Sequence, residues 1–417
     1  VAADALARWY RSMGRRVRFV TGTDEHGQKI ERAAEARGEK PIELADRVVD
    51  RFRALWAQLD ISHDDFIRTT EPRHEGVVQS LWGKLAAAGD LTLGAYEGLY
   101  CTGCEAYKTD KELDGQGRCP DHGTKAEVLK EPSYFFDLER YRQPLLDRLE
   151  SHPELILPDA RRNKIIADLK EPLAPLSVSR TTFGWGVPVP EDAAHVMYVW
   201  LDALTNYISV LGWPDGEAYG EFWEGCDRRI HLIGKDILWF HTVYWPAFLM
   251  SAQVPLPTTV FAHGWWTVEG KKMSKTLGNV VDPGHVAAEY GVDAIRYFLL
   301  REVPFGGDGD FSRSALIGRI NSDLANDLGN LANRTLAMTV RWCDGEAPSP
   351  GGDPDRRASW DEVYARASEA MDALQPHKAL EVALAWVRSC NKDLDSRAPW
   401  TAHKEGRTAD RDAALAD

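Results

Sequence analysis

Val17-Arg18-Phe19-Val20-Thr21-Gly22-Thr23-Asp24-Glu25-His26-Gly27 is a short β-rich run that ends in a polar, glycine-bounded loop. Helical periodicity follows over 28–37 and 41–59, then a polar stretch over 64–73 and another helical pattern over 74–88. Strand, polar loop and helix in alternation is the pattern of a parallel α/β sheet, whose ligands gather beyond the carboxyl ends of the strands. The pattern returns over 196–207, over 230–233 with a helix running to 249, and in a strand over 259–262. Between them, residues 91–130 are rich in Gly, Cys and turn formers, as expected of an insertion built on a metal rather than a core. Beyond Phe311 the chain reads as helical over 312–342, 358–374 and 377–394, with a Pro/Gly linker over 348–354. The expected fold class is α/β, a doubly wound (Rossmann-like) parallel sheet with a connective insertion and an all-helical C-terminal domain.

The bulk properties fit this. A chain of 417 residues is too long for one compact core. Its 44% hydrophobic and 27% charged residues exclude a disordered or fibrous protein. No apolar run approaches the roughly 18–20 residues that span a bilayer. Fifty basic against 64 acidic side chains give −14, which excludes a uniformly basic nucleic-acid coat but not a local basic surface. Six cysteines are too few for a disulfide framework and point to a reducing, cytoplasmic compartment. Val1 already starts a helical pattern, with Ala2, Leu6, Trp9 and Tyr10 near one face and no start signal ahead. There is no charged segment leading into an apolar one, so no signal peptide is read here. A strand and loop are expected to precede Val1, and the pattern over 411–417 stops inside a helix.

Cys101-x2-Cys104, a gap of 14 residues, then Cys119-x2-His122 offers three thiolates and one imidazole. Each pair fits a tight turn, and four soft or borderline donors close a tetrahedron around Zn2+ with no open position. The site is expected to be structural.

Gly270-Lys271-Lys272-Met273-Ser274-Lys275-Thr276-Leu277-Gly278-Asn279 sets three lysines between two glycines. Ammonium groups on such a loop suit a polyphosphate whose charge redistributes during reaction. Composition alone favours a solvated basic turn, and the spacing is not that of a Walker A loop.

Lys272-Met273-Ser274-Lys275-Thr276 resembles the KMSKS signature of class I aminoacyl-tRNA synthetases, with Thr at its last position. Around it stand Gly22-Thr23-Asp24-Glu25-His26-Gly27, Tyr198-Val199-Trp200-Leu201-Asp202-Ala203, and Ile233-Gly234-Lys235-Asp236-Ile237 running to Trp245-Pro246. With the Cys/His insertion these resemble, in order and over essentially the whole chain, the methionyl-tRNA synthetase family. The family's other signature, His-Ile-Gly-His or a close variant, is not in this sequence; by the resemblance Val1 lies just beyond it. The roughly 90 residues between the catalytic halves leave no room for the large editing insertion of leucine-, isoleucine- and valine-specific relatives.

The resemblance implies activation of L-methionine with ATP and transfer to tRNA(Met) by a monomer, with Mg2+ accompanying ATP. Catalysis and ATP binding fall to Lys272 and Lys275, with Gly234, Asp236 and Ser274 completing the ATP site. Asp236 reads independently as a helix N-cap, a compatible role. The methionine pocket is Trp200, Ala203, Leu204 and Tyr207 together with Ile237, Phe240 and His241, and Asp24 anchors the ammonium group. Spacing alone makes both sets helical faces that core packing explains equally well, and Asp24 alone could be a turn former. His26 is read as scaffold. Asn330, Arg334 and Trp400 are implied to read the anticodon; unaided, Asn326, Asn330 and Arg334 form a polar face opposite a stripe of Ile320, Leu324, Leu328 and Leu331. The expected division is a catalytic first half over 1–90, the zinc-bearing insertion over 91–178, the catalytic second half over 179–262, a KMSKS and stem-contact segment over 263–311, and an anticodon-binding domain over 312–417.

Overall fold

The computed structural model describes residues 1–108, 112–120, 123–268, 270–273, 280–349 and 354–416, with backbone alone at 96, 97, 106, 107, 129–131, 271, 272, 354 and 355. The chain opens with α1 (Ala2–Ser12), β1 (Val20–Thr23), α2 (Gln28–Glu35), α3 (Pro41–Gln58), β2 (Asp65–Arg68) and α4 (Pro72–Ala87). Next come β3 (Leu91–Cys101), β4 (Ala106–Lys108), β5 (Glu127–Phe136), α5 (Arg142–Ser151), β6 (Ile156–Leu157) and α6 (Asp159–Asp168). Short strands β7 (Leu176–Ser177), β8 (Ser179–Arg180), β9 (Pro188–Val189) and β10 (Asp192–Met197) lead to α7 (Val199–Ser209) and α8 (Glu217–Tyr219). They are followed by β11 (Ile230–Gly234), α9 (Trp245–Ser251), β12 (Thr259–His263), β13 (Trp266–Val268) and β14 (Lys271–Lys272). The remainder is α10 (Pro283–Tyr290), α11 (Val292–Arg301), β15 (Gly309–Phe311), α12 (Arg313–Arg319), α13 (Asn330–Trp342), α14 (Pro354–Asp372), α15 (Pro376–Arg397), α16 (Pro399–Lys404) and α17 (Thr408–Ala416). No helix among the described residues is long and apolar enough to cross a membrane.

Two compact units result, one of Arg16–Trp56 and Ser62–Ala262, the other of Val1–Arg15, Ala57–Ile61 and His263–Asp417. In the first, β1 pairs with β2 in parallel, Val20 opposite Asp65 and Thr23 opposite Arg68. A second sheet runs β11-β12-β6, with β12 and β6 parallel. The polar stretch over 64–73 thus hides a strand: Phe66 and Ile67 are buried between charged ends. Gly22 is required where the two strands meet, since a Cβ there would lie 2.1 Å from the Ile67 carbonyl oxygen. The core behind these sheets is closed by α4 and α7. Val77, Val78, Leu81, Trp82 and Leu85 of α4 bury one helical stripe, and Leu201, Leu204 and Ile208 do so on α7. Residues 91–130 are more strand than turn. β3 and β5 pair antiparallel from Leu91–Phe136 to Tyr100–Glu127, and β4 folds back on the end of β3.

In the second unit, β13 pairs antiparallel with β14 and parallel with β15. Asp282 caps α10 by accepting from the amides of Gly284 (2.8 Å) and His285 (3.2 Å), with Pro283 in its first turn. The helix expected over 312–342 is interrupted by a π-helical segment, Ile320–Gly329. Wider turns break the 3.6-residue period on which the apolar stripe relied, and Leu328 is 47% exposed. Asp323, buried in that segment, accepts from Tyr297 Oη at 2.6 Å and from Arg319 Nη1 at 3.2 Å.

Candidate functional site

The two helical faces read from the sequence meet in the first unit. Trp200 of α7 stacks on Phe240, centroids 3.9 Å apart and planes within 3°. Tyr207, two turns on, donates its hydroxyl hydrogen to Nε2 of His241 at 2.9 Å, and Nδ1 of His241 donates to the Ile237 carbonyl at 3.0 Å. Instead of the continuous helix expected from 233 to 249, a 3-10 turn (Lys235–Ile237) leads to a π turn (Phe240–Tyr244) before α9. The spacing that places Ile237, Phe240 and His241 together survives the change. Ala203 and Leu204, on the same helix as Trp200 and Tyr207, are buried.

The wall is uncharged. Burial pulls His241 down to about 4, so its imidazole is neutral near pH 7, while burial pushes the Tyr207 hydroxyl up. Behind it, His231 stacks on Tyr207 at 3.7 Å and accepts from Trp245 Nε1 at 3.2 Å. Burial, then the neighbouring His241, holds His231 well below its usual range. Neutral, polarisable and aromatic surfaces suit a thioether.

Asp24 lies on the loop after β1. The mass of protein around it, and then Asp202, Glu105 and Glu25, raise its carboxyl well above the usual range. Its side chain is nonetheless exposed, so the carboxyl is open to solvent rather than sealed in a core. A cation entering there would meet a concentration of negative charge. The next two residues hold the loop. Glu25, buried, accepts from Arg68 Nε at 2.8 Å, Arg68 Nη2 at 2.9 Å and Thr70 Oγ1 at 2.6 Å, tying β1 to β2. His26 Nδ1 contacts Asp202 Oδ2 at 2.7 Å, and His74 Nε2 contacts Asp202 Oδ1 at 2.7 Å. Burial opposes the charge on His26, but Asp202 outweighs it and raises the histidine; Asp202 itself ends below its usual range because the two histidines outweigh its burial. His26, read as scaffold, therefore joins the Asp24 loop to α7. Periodicity could not reveal this set, because its members come from three elements. The one sequence signal was a carboxylate, Asp202, inside an otherwise apolar helical run.

Gly234 closes β11 and Asp236 follows it, exposed, in the 3-10 turn. Lys272 lies on β14, where the backbone alone is described. Ser274, Lys275 and His122 fall outside the described residues. The ligand atoms of Cys101, Cys104 and Cys119 lie within 4.8 Å of one another, and the Cys104 amide donates to Cys101 Sγ at 3.5 Å. Three convergent sulfurs, one already accepting from a backbone amide, form a donor set that could bind a soft or borderline metal ion. In the second unit, Asn330 is exposed, while Arg334 pairs with Asp395 at 2.5 Å and lies 5.2 Å over the Trp400 ring.

A mixed α/β body with this order of sites is that of a class I tRNA synthetase. The family model described as tRNA synthetases class I (M) matches residues 1–127 and 118–336, and the chain belongs to that family. It is 45% identical over its full length to a methionine–tRNA ligase of Fusobacterium nucleatum and 49% identical over 97% of its length to one of Caldanaerobacter subterraneus. It spans 66% and 64% of the lengths of those two relatives. Among solved structures it resembles Mycobacterium tuberculosis methionyl-tRNA synthetase bound by methionyl-adenylate, with TM-score 0.95 and 44% identity over 99% of this chain and 83% of that one. The apo form of the same enzyme gives a TM-score of 0.87 at 41% identity, over 99% and 81%.

Proposed function

We propose that the protein is a methionine–tRNA ligase. It forms methionyl-adenylate from L-methionine and ATP, then passes the methionyl group to the 3′-terminal ribose of tRNA(Met). The observation that carries the reading is the neutral Trp200–Phe240 and Tyr207–His241 wall in the same unit as the anionic Asp24 loop. One suits a thioether side chain, the other an ammonium group.

In the first step a methionine carboxylate oxygen attacks the α-phosphorus of ATP and pyrophosphate leaves. In the second a ribose hydroxyl attacks the acyl carbon and AMP leaves. Positioning and charge neutralisation carry most of the first step. Asp24 holds the ammonium group, and Ala203, Leu204 and Ile237 pack the side chain. Gly234 allows close approach and Asp236 accepts from ribose hydroxyls. Lys272, Ser274 and Lys275 hold the phosphates, with Lys275 stabilising departing pyrophosphate. Mg2+ bound with ATP would share that negative charge. Zn2+ on Cys101, Cys104, Cys119 and His122 would supply local folding energy to the insertion. In this reading 1–90 and 179–262 form a doubly wound catalytic domain in two halves, and 91–178 is the connective insertion. The 263–311 segment contacts the acceptor stem, and 312–417, with Asn330, Arg334 and Trp400, reads the anticodon. The protein acts as a cytoplasmic monomer.

The test is ATP–pyrophosphate exchange with each of methionine, leucine and valine, followed by aminoacylation of tRNA(Met). Exchange stimulated by methionine alone is expected. Stimulation by an aliphatic amino acid instead, or methionine binding without exchange, would sink the assignment.

A further inference from the structure

We propose that Glu105, which the metal set and the amino-acid wall both leave out, positions the Asp24 loop and thereby sets the affinity for the substrate's ammonium group. The inference rests on the amino-acid site proposed above.

Glu105 is a non-glycine residue in the left-handed region, φ 52°, directly after Cys104. That conformation is unfavourable for a side chain with a Cβ, and it persists where surroundings impose it. Here it turns the carboxylate toward α2. The N-cap of α2 is Gly27, which has no side chain to offer the free amides of the first turn. Glu105 supplies the missing cap from another segment: its Oε1 accepts from the Lys29 amide at 3.3 Å. A carboxylate at this end of a helix also meets the favourable pole of the helix dipole.

Gly27 shows how closely the two segments fit. At φ 102° it adopts a backbone other residues avoid, and a Cβ there would lie 2.2 Å from Glu105 Oε1. Three residues before Gly27 is Asp24. The residue on the other side of Glu105 holds the facing wall, since Trp200 Nε1 donates to the Cys104 carbonyl at 3.4 Å. The dipeptide Cys104-Glu105 therefore touches both sides of the amino-acid site. Cys104 meets the aromatic wall and Glu105 the loop that carries the ammonium anchor. Glu105 acts on the substrate through the placement of that loop and not by touching the reacting atoms, so it is a positioning residue rather than a catalytic one.

The experiment measures methionine binding by calorimetry, exchange kinetics, and zinc content by atomic emission, all on the full chain. Glu105→Ala is expected to raise the methionine Kd and KM about five- to tenfold, the scale of losing a helix cap. At saturating methionine, kcat and the ATP KM should stay within about twofold. Glu105→Gln, which keeps an acceptor oxygen in place, should restore methionine affinity. Should Glu105→Ala also release zinc, Glu105→Asp decides: aspartate tolerates the left-handed backbone, but its shorter side chain draws the carboxylate back from the Lys29 amide, and the same loss of methionine affinity with full zinc content is expected. Unchanged methionine affinity in Glu105→Ala, a fall in kcat alone, or a Gln variant as weak as the Ala variant would overturn the role. A wild-type chain that binds no methionine overturns the site reading as well, whereas normal wild-type binding with an indifferent Glu105→Ala overturns this inference alone.

Discussion

Tyr207 donates to His241 at 2.9 Å, and His241 directs its other nitrogen to the Ile237 carbonyl, so the ring carries one proton, on Nδ1. A protonated imidazole would confront the Tyr207 hydroxyl with a second donor. With His241 pulled down to about 4 by burial, the wall stays neutral and fixed in orientation near pH 7. Tyr207→Phe leaves Nε2 of a buried ring without a donor, a loss of about 1–3 kcal/mol. We expect methionine KM to rise roughly tenfold or more and discrimination against norleucine, in which a methylene replaces sulfur, to shrink. Competing kcat/KM values for the two amino acids measure this, and unchanged discrimination would show that the hydroxyl only packs.

The raised Asp24 carboxyl predicts an acid limb in substrate binding. The ionised form attracts an ammonium group and the protonated form does not. Because the carboxyl is raised, protons compete at a higher pH than they would for an ordinary carboxylate, near 4. Methionine Kd should climb on acidification, starting above that range. Asp24→Asn should weaken binding and flatten the limb; a limb that persists in the variant belongs to another group.

Asp202, held by His26 and His74, makes stability depend on pH from both sides. The raised His26 contributes most below its unfolded value, and its share is lost as pH rises through the raised one. The lowered Asp202 contributes above its unfolded value, and its share is lost as pH falls through the lowered one. Asp202→Asn should flatten both limbs and cost about 3–5 kcal/mol, the scale of breaking a buried pair. Urea denaturation across pH reads both quantities, and an Asn variant with the wild-type pH profile would remove the network from the account.

The aromatic wall was legible in the sequence because Trp200, Ala203, Leu204 and Tyr207 share a face at helical spacing, and that spacing survived even where Ile237, Phe240 and His241 lie on 3-10 and π turns. β2 was not legible, since four residues with charged ends inside a polar stretch give no alternation long enough to detect. Its partner β1 starts at Val20, where the expected strand ended, because pairing with β2 sets the register. The contacts that organise the site were hidden for a different reason. Asp202 meets His26 across 176 positions and Glu105 meets Lys29 across 76, and no local period encodes such pairings.

Cys104→Ser should abolish metal binding by the three-sulfur set and loosen the end of the β3–β5 hairpin while the body of the unit stays folded. The long β3–β5 ladder does not depend on the sulfurs, whereas Cys101, Cys104 and Cys119 converge at the end of that hairpin, where a bound metal would cross-link the turn over 101–104 to Cys119. Zinc content together with amide exchange resolved along the chain checks this. Protein purified without chelators that contains no zinc would refute the metal assignment.

Arg334 is held between Asp395, at 2.5 Å, and the face of Trp400, a residue 38% exposed. An exposed indole beside a guanidinium can accept an unstacked base on one and a base edge on the other. Trp400→Ala should leave methionine-dependent pyrophosphate exchange intact, since that step involves only ATP and methionine. Aminoacylation should weaken by about 1–3 kcal/mol in tRNA affinity, the worth of one base–aromatic stack. Arg334→Ala should act on the same step, and more steeply with anticodon sequence if it reads a base edge rather than a phosphate. Both reactions are measured on one enzyme with wild-type and anticodon-exchanged tRNA. If Trp400→Ala slows exchange and aminoacylation alike, the indole serves the packing of α16, and the anticodon must be read elsewhere.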